Sequence, residues 1–138
     1  MAQVAVGVYG SRRYAKRVGK RGLAELDWLA VERSVERVFG RWIDERIEPA
    51  QIRLRLGGMS DLREAVDAHL GVTLMPCALG DDRRTWHRFH RLDEVSAPVW
   101  VLSHADLRTT ARVRAVRDFI GDTLARASAL IAGEQPCS

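Results

Sequence analysis

Four groups of residues combine types that could do chemistry at close spacing: His87 with His90 in HRFH, His104 with Asp106, Asp81 with Asp82, and GGMS at 57–60. A strand would point His87 and His90 to opposite faces, and no cysteine or carboxylate partner is suggested nearby to complete a zinc site. His104 and Asp106 could activate a nucleophile, yet no serine or cysteine in a nucleophile-elbow context accompanies them. A hydrogen bond that stabilises a turn is the favoured reading of that pair. Asp81 and Asp82 stand in the charge-mixed segment GDDRRT, where the flanking residues suggest none of the burial that would raise a carboxyl pKa for acid/base work. GGMS lacks the lysine and the spacing of a phosphate loop. Ser60 and the amides behind it could hold a carboxylate, and simple helix capping by Ser60 explains the segment equally well.

Charge is a fifth candidate. RRYAKRVGKRG carries Arg12, Arg13, Lys16, Arg17, Lys20 and Arg21, which could contact phosphates. A solvated helix face is the commoner use of such a run, and no helix-turn-helix pattern accompanies it. The residues alone therefore assign no catalytic group, no metal ligand and no cofactor. They point to a polar-ligand or anion site at most.

Positioning even that site requires a core. The chain has 138 residues, of which 46% are hydrophobic and 29% charged, enough for one compact unit and too few for two full domains. A formal net charge of +4 permits attraction to nucleic acid but argues little for specific binding. No stretch approaches the roughly 20 consecutive apolar residues of a membrane-spanning helix, and the N-terminal residues do not read as a signal peptide. A cytoplasmic protein without a membrane partner is expected. Cys77 and Cys137 are too few and too scattered for a disulfide scaffold.

The elements follow from periodicity. Val4 to Tyr9 is an apolar run that reads as a buried strand, ended by Gly10 and by Ser11, which can cap the short basic helix after it. LAELDWLAVE reads as a helical turn and then a strand at Trp28 to Val31, and Val35, Val38, Phe39, Trp42 and Ile43 keep helical spacing. In QIRLRL the alternation puts Ile52, Leu54 and Leu56 on one face of a half-buried strand. Gly57 and Gly58 end it. Ser60 is then placed to cap a helix with Leu62, Ala65, Val66 and Leu70 as its core face. Val72 to Met75, closed by Pro76, reads as a short buried strand, completing a strand-helix-strand unit. Strands are also expected at Trp86 to Leu92 and at Val99 to Ser103. A long helix from near Thr110 through Val113, Val116, Phe119, Ile120, Leu124, Leu130 and Ile131 ends at Gly133 and Pro136. This alternation predicts an α/β domain with a mainly parallel sheet, whose ligands would sit at strand carboxyl ends against helix N-termini.

One segment goes further. PVWVLSHADLRTTARVRAVRDFI, from Pro98 to Ile120, closely resembles the ending of the effector-binding domains of LysR-type transcriptional regulators. AVDAHLGVTLMPCALGDD, Ala65 to Asp82, is similar to the same family's helix, glycine turn, short strand and Leu-Pro-like step. VGVYGSRRYAKRVG resembles the segment that enters its second subdomain. The resemblance covers nearly the whole chain in order.

It implies a type II periplasmic-binding-protein-like fold: one complete α/β subdomain at roughly residues 7–92, and at 98–132 the strand and helix that return to the other subdomain. It further implies effector contacts from Tyr9, Ser11, Gly58, Met59, Ser60, Pro76 and Cys77. The partners it implies are a small-molecule effector that could be anionic, further copies of the chain, and DNA only through a winged helix-turn-helix absent from these residues. A regulatory binding module is thus expected, not an enzyme. The alternative is a short interaction protein that pairs with intact regulators. A domain with half its cleft and a returning helix without its usual neighbours should expose apolar surface and self-associate.

Overall fold

The computed structural model describes residues 3–32, 38–98, 104–107 and 109–134. Val35 and the strand expected at Val99 to Ser103 lie outside them, as does Cys137.

Strand β1, Gln3–Ser11, is buried from Ala5 to its end. Its even residues Val6 and Val8 join one core group, with Trp28, Trp42, Val72, Leu74 and Leu92. Its odd residues Ala5 and Tyr9 join another, with Leu29, Leu62, Val66, Met75 and Trp86. This follows from the period-2 alternation of strand side chains: an unbroken apolar run must be covered on both faces. Helix α1, Arg12–Val18, supplies Tyr14 and Val18 to the first group, and α2, Val38–Arg46, supplies Trp42 and Ile43. Helix α3, Met59–Asp67, supplies Leu62, Ala65 and Val66 to the second, and α4, Cys77–Gly80, supplies Cys77. The result is a sheet between two helical layers.

The remaining strands are β2, Trp28–Val31, β3, Ile52–Leu56, β4, Thr73–Pro76, and β5, Trp86–Pro98. β1 lies between β4 and β5 and runs antiparallel to both, whereas β2 and β3 pair in parallel. A single parallel bridge between Trp28 and Val72 joins the two groups, giving the order β3-β2-β4-β1-β5. Its hydrogen bonds run from Leu29 N to Val72 O and from Val72 N to Asp27 O, each 2.8 Å. Four strands therefore share a direction and β1 opposes them. The expected mainly parallel sheet is corrected at β1, next to the edge strand β5, because a buried apolar run carries no mark of its direction. Nor are β3 and β4 neighbours: β2 lies between them.

Local expectations fared unevenly. Ser11 caps α1, its Oγ accepting from Tyr14 N at 3.0 Å, and Gly19 ends that helix with a φ of 63°. Ser60, in contrast, is not a cap. α3 starts two residues earlier than a Ser60 cap would set it, with Gly58 at the capping position and no side-chain cap bond, so Ser60 lies exposed within the first turn. Leu70 falls after the helix and is 47% exposed, outside the expected core face. β5 runs six residues past the expected end at Leu92, to Pro98, and its pairing with β1 slips twice on the way. Val6 opposes Leu92 while Ala5 opposes Ser96, so Asp93, Glu94 and Val95 bulge out, which brings Glu94 to Trp42 Nε1 at 3.0 Å.

After a 3-10 turn at Ala105–Leu107, helices α5, Ala111–Arg126, and α6, Ser128–Ile131, complete the described chain. α5 has no buried residue, and Val116 and Phe119 are 59% and 66% exposed. α6 packs against β1 and α4, burying Ile131.

Gly71 shows how tightly the central bridge is built, since a Cβ there would collide with the backbone carbonyl of Asp27. Gly71→Ala is expected to lower stability in urea unfolding by about 1–3 kcal/mol, the usual range for overpacking. Gly22→Ala, with open space around it, should stay within about 0.5 kcal/mol of wild type.

Candidate functional site

β1 delivers Tyr9 to the sheet face that carries α3 and α4. The Tyr9 hydroxyl donates to Asp81 Oδ1 at 2.6 Å, and Arg88 Nη1 donates to Asp81 Oδ2 at 3.2 Å. The one-turn helix α4 places the carboxylate: it begins after Pro76, and Asp81 N closes the turn on Cys77 O at 2.8 Å. Gly80 is obligatory in this arrangement, because any Cβ would enter the Tyr9 ring. Burial, and then the hydrogen bond to Asp81, push the Tyr9 hydroxyl well above the usual tyrosine range, so it remains a donor. Burial, the largest single influence, pulls the Arg88 guanidinium down, but the charge of Asp81 together with Cys77 and Tyr9 outweighs it and the net direction is up.

Asp81 is only 5% exposed. That overturns its expected place in an exposed loop; Asp82 alone is exposed. A signal for the pair existed in TWHRFHRL. Arg88 is two residues from buried Trp86, hence on the same face of the strand, and an arginine facing a core requires a carboxylate.

Of the residues singled out from resemblance, Tyr9, Met59 and Cys77 come together, Met59 packing on the group that buries the other two. Gly58 and Pro76 are half-buried at the starts of α3 and α4. Ser11 belongs to a different network. Its Oγ accepts from Tyr14 N and shares a hydrogen bond of 2.8 Å with His69 Nδ1, while Arg17 donates to the His69 carbonyl at 3.0 Å. His69 itself adopts a φ of 65°, the left-handed region seldom used by non-glycine residues. Ser60 faces outward with Arg63, Glu64, Asp67 and Arg83 around a shallow hollow of about 220 Å³. Asp67 accepts there from Arg83 and from Trp86 Nε1, both at 2.7 Å, and the Arg83 guanidinium lies over the Trp86 ring at 4.9 Å. His69, Asp67 and Trp86 had no such roles in the sequence reading, since their partners lie 58 and 19 residues away.

The remaining candidates resolve simply. His104 Nδ1 accepts from Asp106 N at 3.2 Å, the turn bond expected of that pair, and both side chains are exposed. His87 stacks edge-on with Phe89 at 5.0 Å, and burial followed by the charge of Arg12 lowers its pKa. Among the described residues no group of three His, Cys, Asp or Glu is arranged to hold a metal ion. None of their helices is long and apolar enough to cross a membrane. In the basic segment, Arg12 Nε donates to the Arg84 carbonyl at 2.6 Å and Arg17 lies over the Tyr14 ring at 5.0 Å, while Arg13, Lys16, Lys20 and Arg21 are exposed.

Chemically, the arrangement offers the unblocked amides of the first α3 turn beside a face closed by Met59, Tyr9 and Cys77. Ser11 pairs with the His69 imidazole, but it is buried and its Oγ already caps α1. The model of the LysR substrate binding domain matches residues 7–125. No curated protein and no solved structure matches the chain.

Removing one partner of a buried ion pair strands the other. Asp81→Ala is therefore expected to cost about 3–5 kcal/mol in chemical denaturation. Asp82→Ala should change stability by no more than about 0.5 kcal/mol.

Proposed function

The chain belongs to the LysR substrate binding domain family, and from that membership we propose that it forms the effector-sensing part of a LysR-type transcriptional regulator. Domains of this family are regulatory, not catalytic. The match across residues 7–125 carries the reading, because it includes every residue named for the candidate face, from Tyr9 to Cys77.

In this reading the fold is periplasmic-binding-protein-like, with residues 7–92 as its second subdomain and residues 98–132 as the strand and helix that return to the first. The effector is a small molecule bound against Tyr9, Met59 and Cys77, with Ser11, Gly58, Ser60 and Pro76 at the margins. The first turn of α3 offers amides without a side-chain cap to an anionic group, which must be held against the charge of Asp61 in the same turn. The isolated chain supplies one wall of such a cleft, so its affinity is modest. DNA is contacted through a helix-turn-helix outside these residues, and effector occupancy biases the assembly on it.

The effector reading is tested by thermal melting against a panel of small organic carboxylates. One chemical class should raise Tm in proportion to the logarithm of its concentration above Kd. Ser60→Asp, which sets a negative charge on an exposed position of that turn, should abolish the rise without lowering the ligand-free Tm. A rise that survives Ser60→Asp places the ligand elsewhere, and no rise with any carboxylate rejects an anion site.

The exposed stripe of α5 supports self-association, with a second copy covering Val116, Phe119 and Ile120. Sedimentation at micromolar concentration should show a dimer or larger species that Phe119→Asp converts to monomer. A monomeric wild type would instead favour pairing with an intact regulator, detectable by co-purification with one.

A further inference from the structure

Arg88 does more than neutralise Asp81. The same Nη1 that donates to Asp81 Oδ2 also donates to the carbonyl of Gly133 at 2.8 Å. Arg91, on the same strand, donates from Nη2 to the Ala132 carbonyl at 3.0 Å. Two cations of β5 thus hold the carbonyls that end α6, where unsatisfied acceptors and the helix dipole both favour positive charge. Gly133 turns there with a φ of 72°, and a Cβ on it would lie 2.9 Å from Cys77 Sγ. With buried Ile131, these contacts attach the C-terminal helices to the α/β body, since α5 buries no residue of its own.

The other end of this arrangement is Tyr9. Asp81 is satisfied from two sides, by the Tyr9 hydroxyl on Oδ1 and by Arg88 on Oδ2. If the hydroxyl leaves, Oδ1 becomes a buried anion without a donor, and Arg88 is the cation within reach to answer it. Its Nη1 serves Asp81 and Gly133 and lies 3.9 Å from Cys77 Sγ, so its position is shared between the carboxylate, the end of α6 and the thiol. Pairing both carboxylate oxygens through the fork of the guanidinium turns Arg88 towards Asp81, in competition with the hold of Nη1 on the carbonyl of Gly133.

We propose that Tyr9, Asp81 and Arg88 form a latch between the effector face and the C-terminal helices, so that an occupant which takes the Tyr9 hydroxyl loosens α6 and frees α5. The proposal rests on the effector reading of Tyr9 and Cys77, but the latch itself operates without an effector and is tested without one. α6 has four residues, too few to persist once undocked. Its melting exposes the amides of Ile131, Ala132, Gly133 and Glu134, which bond within the segment, and uncovers the Cys77 thiol.

The experiment uses the full chain in a Cys137→Ser background, which leaves Cys77 as its one thiol. Amide exchange at residues 127–134 and the rate of Cys77 alkylation are measured together. Tyr9→Phe keeps the ring and removes the donor, and it should speed both by about tenfold, the effect of losing a hydrogen bond to a charged group on a local opening equilibrium. Asp81→Asn combined with Arg88→Met removes both charges at once, leaves no orphaned ion, and should speed both at least as much. Exchange at residues 28–31 should stay at the wild-type rate in all variants. Rates at the tail and at Cys77 within twofold of wild type in both variants overturn the latch. So does equal acceleration at residues 28–31, which signals global unfolding. A Tyr9→Phe effect alongside a failed carboxylate screen keeps the latch and rejects the effector site, so the two ideas fail separately.

Discussion

A strand buried on both faces, with hydrogen-bonding neighbours on both edges, constrains everything else in this molecule. β1 divides the apolar side chains into two groups by alternation, and each needs its own helical cover. Because β1 opposes the other strands, its C-terminal end delivers Tyr9 towards α4 and places Ser11 where α1 must start. The same strand thus supplies a cap to one layer and a hydroxyl to the other.

Burying polar groups beside such a strand is costly unless each finds a partner, and the second face shows how the cost is met. Asp81 takes donors on both oxygens, and the arginine that serves it also serves the end of α6. On the first face the polar groups lie nearer the rim. Asp27 N donates to the Tyr14 hydroxyl at 2.8 Å, and Arg53 Nε donates to Asp27 Oδ1 at 2.9 Å. These bonds tie α1, the approach to β2, and β3 into one rim without placing a charge in the core. The contrast explains why the candidate site and the link to the C-terminal helices occupy the same face: among the described residues, it is there that a buried charge connects separate parts of the chain.

α5 stands apart from this logic. Its apolar residues keep helical spacing, as a core-facing helix would, yet Val116 and Phe119 face water. Periodicity reports that a face is meant to be covered and is silent on what covers it. The α6 contacts fix where that uncovered helix begins its return to the body.

How much could be read in advance depended on the range of each interaction. Trp28 to Val31, the short helix after Ser11, the helix spanning Leu62 to Val66 and the turn bond of His104 were legible because nearest neighbours in the chain determine them. The family was legible too, from Pro98 to Ile120 and from Ala65 to Asp82. The direction of β1, the slips that lengthen β5, the start of α3 at Met59, and the exposure of Leu70 were not. Each of these is set by what packs from elsewhere. The buried state of Asp81 is the sharpest case: GDDRRT looks solvated, and the Tyr9 that buries it is 72 residues away. Sequence by itself determined the elements, the pattern of apolar faces and the family, since these rest on local spacing and on motifs. Only the tertiary structure decided which charges are buried and which residues share a face, because burial belongs to pairs of distant segments and to neither one alone.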